Sequence, residues 1–439
     1  MKVLILDPQG DALDIAIRAK RDGHDVKLFI RDHDGRSTFI GKGFVDVIRN
    51  FDLYLKWADI IINADNTIYL AQLDAHKAKH GTPMISASIE AATWELDRAA
   101  GQKIFKKHGI EVPAYREFSK YDEAIAYVKK ENRRFVCKPS GDEKDKSLSY
   151  CSKTPADMIY MLQRWKKAQR HKGSFILQEF IPGIEMAVGG WFGPGGFNVG
   201  WCENWEFKKL LNDDLGPATG EMGTVVRYTR TSKLANKVLR PLEEALDALD
   251  YCGYVDVNCI ISDDGTPYPL EFTMRPGWPT FNIQQALHRG DSVEWLAKLA
   301  GGKDARNALL EQVAVGVVLA IPQFPYKSKM EDVVGVPVQG ITPGMWPYIH
   351  PGSMQMGSAP CDVGGVVQEK PCPLTAGDYI LIASGVGETV YQAKEAAYRR
   401  IKRLEVPASP MYRTDIGDRL SRQLPKLHAM GYAKGLEFS

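Results

Sequence analysis

Short, continuously apolar runs alternate with helically patterned stretches at the start of the chain, and this alternation constrains the fold more than any other feature. Val3 to Leu6 is apolar throughout and breaks at Asp7-Pro8-Gln9-Gly10; a helical pattern marked by Leu13 and Ile17 follows, stops at Gly23, and gives way to Val26 to Ile30. The pattern repeats with Ile60 to Ile62, the helical stretch Tyr69 to Lys79, the turn Gly81-Thr82-Pro83 and the strand Met84-Ile85. Strands separated by helices form a parallel sheet covered by those helices. Residues 1–115 are therefore expected to fold as an open parallel α/β domain, closed by a helix that Thr93 caps and that stops at Gly109 after Lys106-Lys107-His108.

Beyond residue 115 the texture changes. The spacing predicts helices over Tyr121 to Glu131, Pro155 to Lys167 and Pro241 to Leu249, with strands at Phe135-Val136-Cys137 and Phe175 to Phe180. Two further strands, Tyr254 to Ile261 and Tyr268 to Phe272, are joined by Ser262-Asp263-Asp264-Gly265, a turn sequence that makes a hairpin. After about residue 305 the chain is rich in Val, Gly and Pro and reads as a separate α+β domain, with a strand at Ala314 to Ile321, short runs at Gly364 to Gln368 and Tyr379 to Ser384, and a helix at Tyr391 to Arg403. A length of 439 residues gives room for several cores.

Composition narrows the function. The net charge is only +2, so no global field recruits nucleic acid, and no stretch approaches the ~20 apolar residues of a membrane span. The seven cysteines form no CxxC pair, which suits a reducing cytoplasm. The histidines include no HxH pair, and a zinc site is not expected. Acids at Asp32 and Asp34 after the second strand suggest a dinucleotide site, but Gly10 stands alone where a Gly-x-Gly-x-x-Gly turn is needed.

The richest spacing is Glu271-Phe272-Thr273-Met274-Arg275 at the end of the second hairpin arm. Period-two alternation puts Glu271, Thr273 and Arg275 on one face, beside Asp256 or Asn258 of the neighbouring strand. A carboxylate flanked by oxygen ligands suits magnesium, and Arg275 is placed to hold a transferring phosphoryl group. Lys138, which follows an apolar strand, and Lys103, inside a helix, are candidates for phosphate contacts. Glu179-Phe180-Ile181 ends an apolar strand whose backbone can face a purine ring, with Glu185 positioned for ribose hydroxyls. The loop Gly216 to Gly223, after Asp213-Asp214, is built to present backbone N–H groups to an anion. The aromatics Trp191, Phe192, Phe197, Trp201, Trp205 and Phe207 are expected to pack in a core rather than stack bases.

Together these residues resemble the ATP-grasp superfamily and, within it, the glycinamide ribonucleotide synthetase family. Lys138 matches the family's nucleotide lysine, Glu179 to Glu185 its adenine and ribose segment, Gly216 to Gly223 its Gly-Pro-Asn-Thr-Gly-Gly-Met-Gly loop, and Glu271 to Arg275 its metal strand. Gly385-Val386-Gly387-Glu388-Thr389 and Tyr412-Arg413-Thr414-Asp415-Ile416-Gly417 resemble its final domain. The resemblance implies a two-lobed ATP-grasp core, with a small lobe over 116–175 and a large lobe over 176–305, and a C-terminal α+β domain over 306–439. It implies an ATP-dependent carboxylate–amine ligase working through an acyl phosphate, with ATP and magnesium or manganese as cofactors. Glycine and phosphoribosylamine would be the small-molecule substrates, for a cytoplasmic monomer or small homo-oligomer of purine biosynthesis.

On that resemblance Arg275 and Lys138 are catalytic, Lys103, Lys138, Glu179, Phe180, Ile181 and Glu185 hold ATP, and Glu271, Thr273 and Asn258 hold the metal. Asp214, Thr219, Gly220, Met222, Arg275 and Gly277 contact substrates. The chain departs from the family at Gln9-Gly10-Asp11-Ala12, where the family has Gly-Gly-Arg-Glu, at Thr273 in place of Asn, and at Pro276-Gly277-Trp278-Pro279-Thr280 in place of Phe-Gly-Asp-Pro-Glu. The lid after Lys138 keeps one glycine, with Lys144 and Lys146 available for phosphates. These changes leave two alternatives open: a repurposed ligase for another amino acid and amine, and a noncatalytic nucleotide-binding homologue.

Overall fold

The computed structural model describes residues 1–31, 39–139, 149–170, 173–198, 200–303, 309–326 and 328–439. Asp32, Asp34, Lys144 and Lys146 lie outside the described residues.

The apolar runs at the N-terminus become a five-stranded parallel sheet in the order Asp46–Ile48, Asp25–Phe29, Lys2–Leu6, Ile60–Asn63, Met84–Ile85. Val3 to Leu6 and Ile60 to Ile62 are fully buried because helices such as Leu13–Arg21 and Leu70–His80 cover the sheet. At the C-terminal end of the first strand, Asp7 accepts hydrogen bonds from the N–H groups of Gly10 (2.9 Å) and Ala12 (2.5 Å), which closes the turn into the helix.

The closing helix differs from expectation. Two helices, Ile89–Leu96 and Arg98–Lys107, replace one, and Thr93 lies inside the first, its hydroxyl donating to the carbonyl of Glu90. Ser88 and Asp97 are the caps; the Asp97 carboxylate takes the N–H groups of Ala99 and Ala100, and its extended backbone breaks the helical path. An Asp can serve as a cap or as a first-turn residue, and local pattern alone did not separate the two.

A four-stranded antiparallel sheet follows, in the order Tyr115–Phe118, Phe175–Glu179, Phe135–Pro139, Tyr150–Cys151, and is backed by Tyr121–Glu131 and Pro155–Lys167. It has its own core, with Phe118, Val128, Phe135, Leu162 and Leu177. The strand Phe175–Glu179 sits inside this sheet, so the small lobe's sheet continues past the 175/176 boundary drawn from sequence.

The largest layer is a nine-stranded antiparallel sheet. Its order is Pro267–Thr273, Gly253–Ser262, Gly183–Gly193, Trp201–Glu206, Gly223–Thr229, Val313–Ala320, Tyr379–Gly387, Ile349–Pro351, with Gly196–Phe197 paired to Gly183–Gly193. Val313–Ala320 joins Gly223–Thr229 to Tyr379–Gly387, so the sheet runs across residue 305 and the last segment shares a core with the large lobe. The aromatic cluster from Trp191 to Phe207 is buried in that core, as its alternation suggested.

Candidate active site

Four adjacent strands of the large sheet carry the site. Antiparallel pairing sets Asn258 opposite Glu271 and Asp256 opposite Thr273. The Asn258 amide nitrogen donates to Glu185 Oε1 and to Glu206 Oε2, both at 2.9 Å, and so ties the third and fourth strands to the second. Lys208, two residues past the strand that ends at Glu206, brings its Nζ to 2.8 Å from Glu206, 3.4 Å from Glu185 and 3.5 Å from Glu271. These side chains are partly open to solvent, with Glu271 at 33% and Lys208 at 36% exposure, so a ligand can reach them.

The helix Arg98–Lys107 lies against the strand Pro267–Thr273. Phe105 stacks on Phe272 with ring centroids 4.0 Å apart and planes 9° from parallel. At Gly101 a Cβ would stand 2.5 Å from the carbonyl oxygen of Trp94, so only glycine permits this approach. The packing delivers Arg98 Nη1 to 2.7 Å from Glu271 Oε2. Gln102 donates to the carbonyls of Pro269 and Leu270, whereas Lys103 is exposed on the same helix.

Charge is concentrated here. Burial pushes the Glu271 carboxyl up, but Arg98, Lys208 and Lys138 outweigh it and hold the group well below the usual carboxylate range. Burial depresses Lys138 to about 8, aided by the like charge of Arg98 and opposed by Glu271. Lys208 loses from burial yet is raised by Glu206, Glu185 and Glu271, and stays protonated. Asp256 is pushed up to about 7 by burial and the charge of Glu206. Glu221, in the glycine-rich loop, is raised well above its ordinary value by burial and Glu206, and accepts the hydroxyl hydrogen bond of Thr224.

The remaining predicted residues fall in three places. Phe180 and Ile181 lie in the short link between Phe175–Glu179 and Gly183–Gly193, the join of the two sheets. Arg134 stacks over the Phe180 ring at 3.5 Å, and Glu179 pairs with Arg133 at 2.6 Å. On the opposite side, Arg275 turns toward the parallel sheet and stands 3.3 Å from Glu95, which also accepts from Asn66 and from the Met274 N–H. Gly277 accepts the Phe281 N–H at 2.7 Å.

The loop residues fold back on Lys208. Thr219 donates through its N–H (2.8 Å) and its hydroxyl (2.9 Å) to the Lys208 carbonyl, and the Met222 N–H donates to Phe207. Gly220 has open space around its Cα. Asp214 is held by Arg413 and Arg419.

Among the described residues no group of three or more His, Cys, Asp or Glu side chains is arranged to hold a metal ion. Glu271 and Asn258 nevertheless fit a divalent cation that takes its other ligands from phosphates. Asn258 is 4% exposed and its Oδ1 has no hydrogen-bond partner among the described residues, an acceptor oxygen left beside the carboxylates.

Sequence reasoning missed Arg98, Glu206, Lys208 and Glu95. Two had a signal: a cation in the first turn of a helix opposes the helix dipole, as Arg98 does, and Glu206 shares a face with Asn204 by the two-residue period of the strand Trp201–Glu206.

A small antiparallel sheet and a large antiparallel sheet, with a carboxylate strand and a ring of cations at their junction, are the features that the comparisons with known proteins share. Residues 97–280 match the model of the phosphoribosylglycinamide synthetase ATP-grasp (A) domain. The chain is similar to phosphoribosylamine–glycine ligases: it is 26% identical to that of Ralstonia nicotianae over 80% of this chain and 82% of the relative. It is 25% identical to that of Allochromatium vinosum over 95% and 98%. The crystal structure of phosphoribosylamine–glycine ligase from Thermotoga maritima superposes with a TM-score of 0.70 at 20% identity, covering 95% of this chain and all of that one. N5-carboxyaminoimidazole ribonucleotide synthetase from Thermotoga maritima shares the fold more loosely, with a TM-score of 0.57 at 16% identity over 92% of this chain and 99% of that one.

Proposed function

We propose that this chain is an ATP-dependent carboxylate–amine ligase that joins glycine to phosphoribosylamine through an acyl phosphate. The observation that carries the reading is the Glu271 strand end ringed by Arg98, Lys138 and Lys208, in a chain that aligns with phosphoribosylamine–glycine ligases over as much as 95% of its length.

ATP lies between the two lobes, its base against the Glu179-Phe180-Ile181 link and its ribose hydroxyls on Glu185. Lys138, with Lys103 from the helix Arg98–Lys107, holds the phosphates. The glycine carboxylate attacks the γ-phosphorus in line, ADP departs, and the phosphoryl group becomes part of an acyl phosphate. Lys208, Arg98 and Arg275 set positive charge around the atoms where negative charge develops, which stabilises the transition state more than the ground state. The phosphoribosylamine nitrogen then attacks the activated carbonyl and inorganic phosphate leaves. Asp214, Thr219, Gly220, Met222 and Gly277 shape the substrate side. Glu271, Asn258 and Thr273 would hold magnesium, for which manganese can substitute, and the ion would neutralise phosphate charge.

The test is ADP release in the presence of magnesium, ATP, glycine and freshly generated phosphoribosylamine, beside a panel of other amino acids and amines. Turnover confined to glycine and phosphoribosylamine is the expected result. Turnover with a different pair, or nucleotide binding without turnover, would overturn it.

A further inference from the structure

Lys208 is the hub of the site, yet it follows a strand end and precedes a small hairpin, Lys209–Leu211 with Leu215–Ala218, that stands apart from the large sheet. What holds it comes from the far end of the chain. Arg419 Nη2 donates to the carbonyl of Glu206 at 2.5 Å and Arg413 Nη1 donates to the carbonyl of Lys209 at 3.1 Å, so two guanidiniums grip the backbone on either side of Lys208. Between them the ring of Phe207 lies under both, 4.1 Å from Arg419 and 5.2 Å from Arg413.

The same arginines bind the hairpin turn. Arg413 is 1% exposed and pairs with Asp214 (2.8 Å) and Asp415 (2.7 Å); Arg419 reaches Asp214 at 3.4 Å. Asp213 and Asp214 are consecutive residues at φ 58° and 54°, a left-handed conformation that costs a non-glycine residue energy. They keep it because the Asp213 N–H donates to Asp415 (2.9 Å), because Asn212 and Thr414 exchange two hydrogen bonds, and because the Asp214 carboxylate meets two cations. A buried cation with each donor engaged is a rigid fixture, and its loss leaves buried acceptors unpaired.

We propose that Arg413 and Arg419 are positioning residues for Lys208: the segment 413–419 completes the phosphate end of the site by fixing the backbone on both sides of that lysine. This rests on the reading that Lys208 sets positive charge around the transferring γ-phosphoryl group of the nucleotide, but not on which amine or amino acid is joined.

A double-mutant cycle on the full-length protein tests it, read as affinity for a non-hydrolysable ATP analogue with magnesium and as kcat. Arg419→Gln, whose side chain is partly exposed, is expected to weaken analogue binding about tenfold in the parent and by less than about twofold in the Lys208→Ala background. Arg413→Lys keeps the charge but loses the fork, and is expected to behave like Arg419→Gln with most of the thermal stability retained. An equal loss in both backgrounds, or no loss in the parent, would overturn the proposal. Because the analogue needs neither glycine nor phosphoribosylamine, failure of the ligation assay leaves this measurement readable. If Arg413 variants do not fold, the Arg419 cycle alone decides.

Discussion

Lys138 sits at the boundary of titration, and that makes nucleotide binding depend on pH. With its ammonium depressed to about 8, the free protein loses this charge as pH rises from 7 to 9, and the phosphates lose a cation. ATP affinity should therefore fall through that range, and Lys138→Arg, which stays charged, should flatten the profile. Lys138→Ala should weaken ATP binding by about 1.5–3 kcal/mol at pH 7, the worth of a charged hydrogen bond. Calorimetric titration at several pH values checks both. Glu271→Gln should abolish turnover and leave the fold intact, because the change removes one charge from a strand end without altering volume; activity equal to the parent's would remove Glu271 from the metal role. Asp256 carries a stability signature. Its carboxyl titrates near 7 in the folded chain and near 3.8 when unfolded, so the folded state binds the extra proton between those values. Its contribution is full below the lower value and is lost as pH rises through the upper one. Asp256→Asn should accordingly raise the melting temperature at pH 8 more than at pH 5.

The helix Arg98–Lys107 is the element on which the site depends most. Asp97 satisfies two of its first N–H groups and so fixes the turn from which Arg98 reaches Glu271. Asp97→Ala should cost about 1 kcal/mol of stability and also release Arg98, detectable as lower thermal stability together with weaker nucleotide binding. A loss confined to stability would show that the cap does not position Arg98. The two-residue period made the Glu271 strand and its hairpin partner readable, since alternation decides which side chains share a face. It did not reveal Lys208, because a lysine beyond a strand end has no period to place it until the hairpin it enters is pinned.

At the scale of the molecule, the parallel sheet is bolted to the nine-stranded sheet by a fully buried group. His350 on one side lies 2.7 Å from Asp14 and 2.8 Å from Ser384, while Arg18 pairs with Asp14 at 2.7 Å and donates to Pro347. Burial lowers the His350 pKa and the nearby Arg18 and Arg400 charges add to this, against Asp14, which raises it. The folded chain takes up a proton here only at lower pH than the unfolded chain, whose imidazole titrates near 6.5, so stability should fall as pH drops below that value. His350→Gln, which cannot be protonated, should reduce that slope in denaturant titrations at pH 5 and 7.

The local code of this sequence was strong wherever an element's own period or cap carried the information. The parallel N-terminal layer, the helices Tyr121–Glu131 and Pro155–Lys167, the hairpin with Glu271 and the buried aromatic strand all follow from apolar spacing and turn residues, which act over a few positions. Tertiary structure alone decided that Val313–Ala320 and Tyr379–Gly387 extend the sheet that bears Glu271, and that Arg98, Lys208, Arg413 and Arg419 converge on one end of it. Antiparallel pairing between distant segments leaves no local mark in composition. An ion pair forms wherever folding brings opposite charges within reach, and that distance is set by the packing of whole layers rather than by neighbours in the chain.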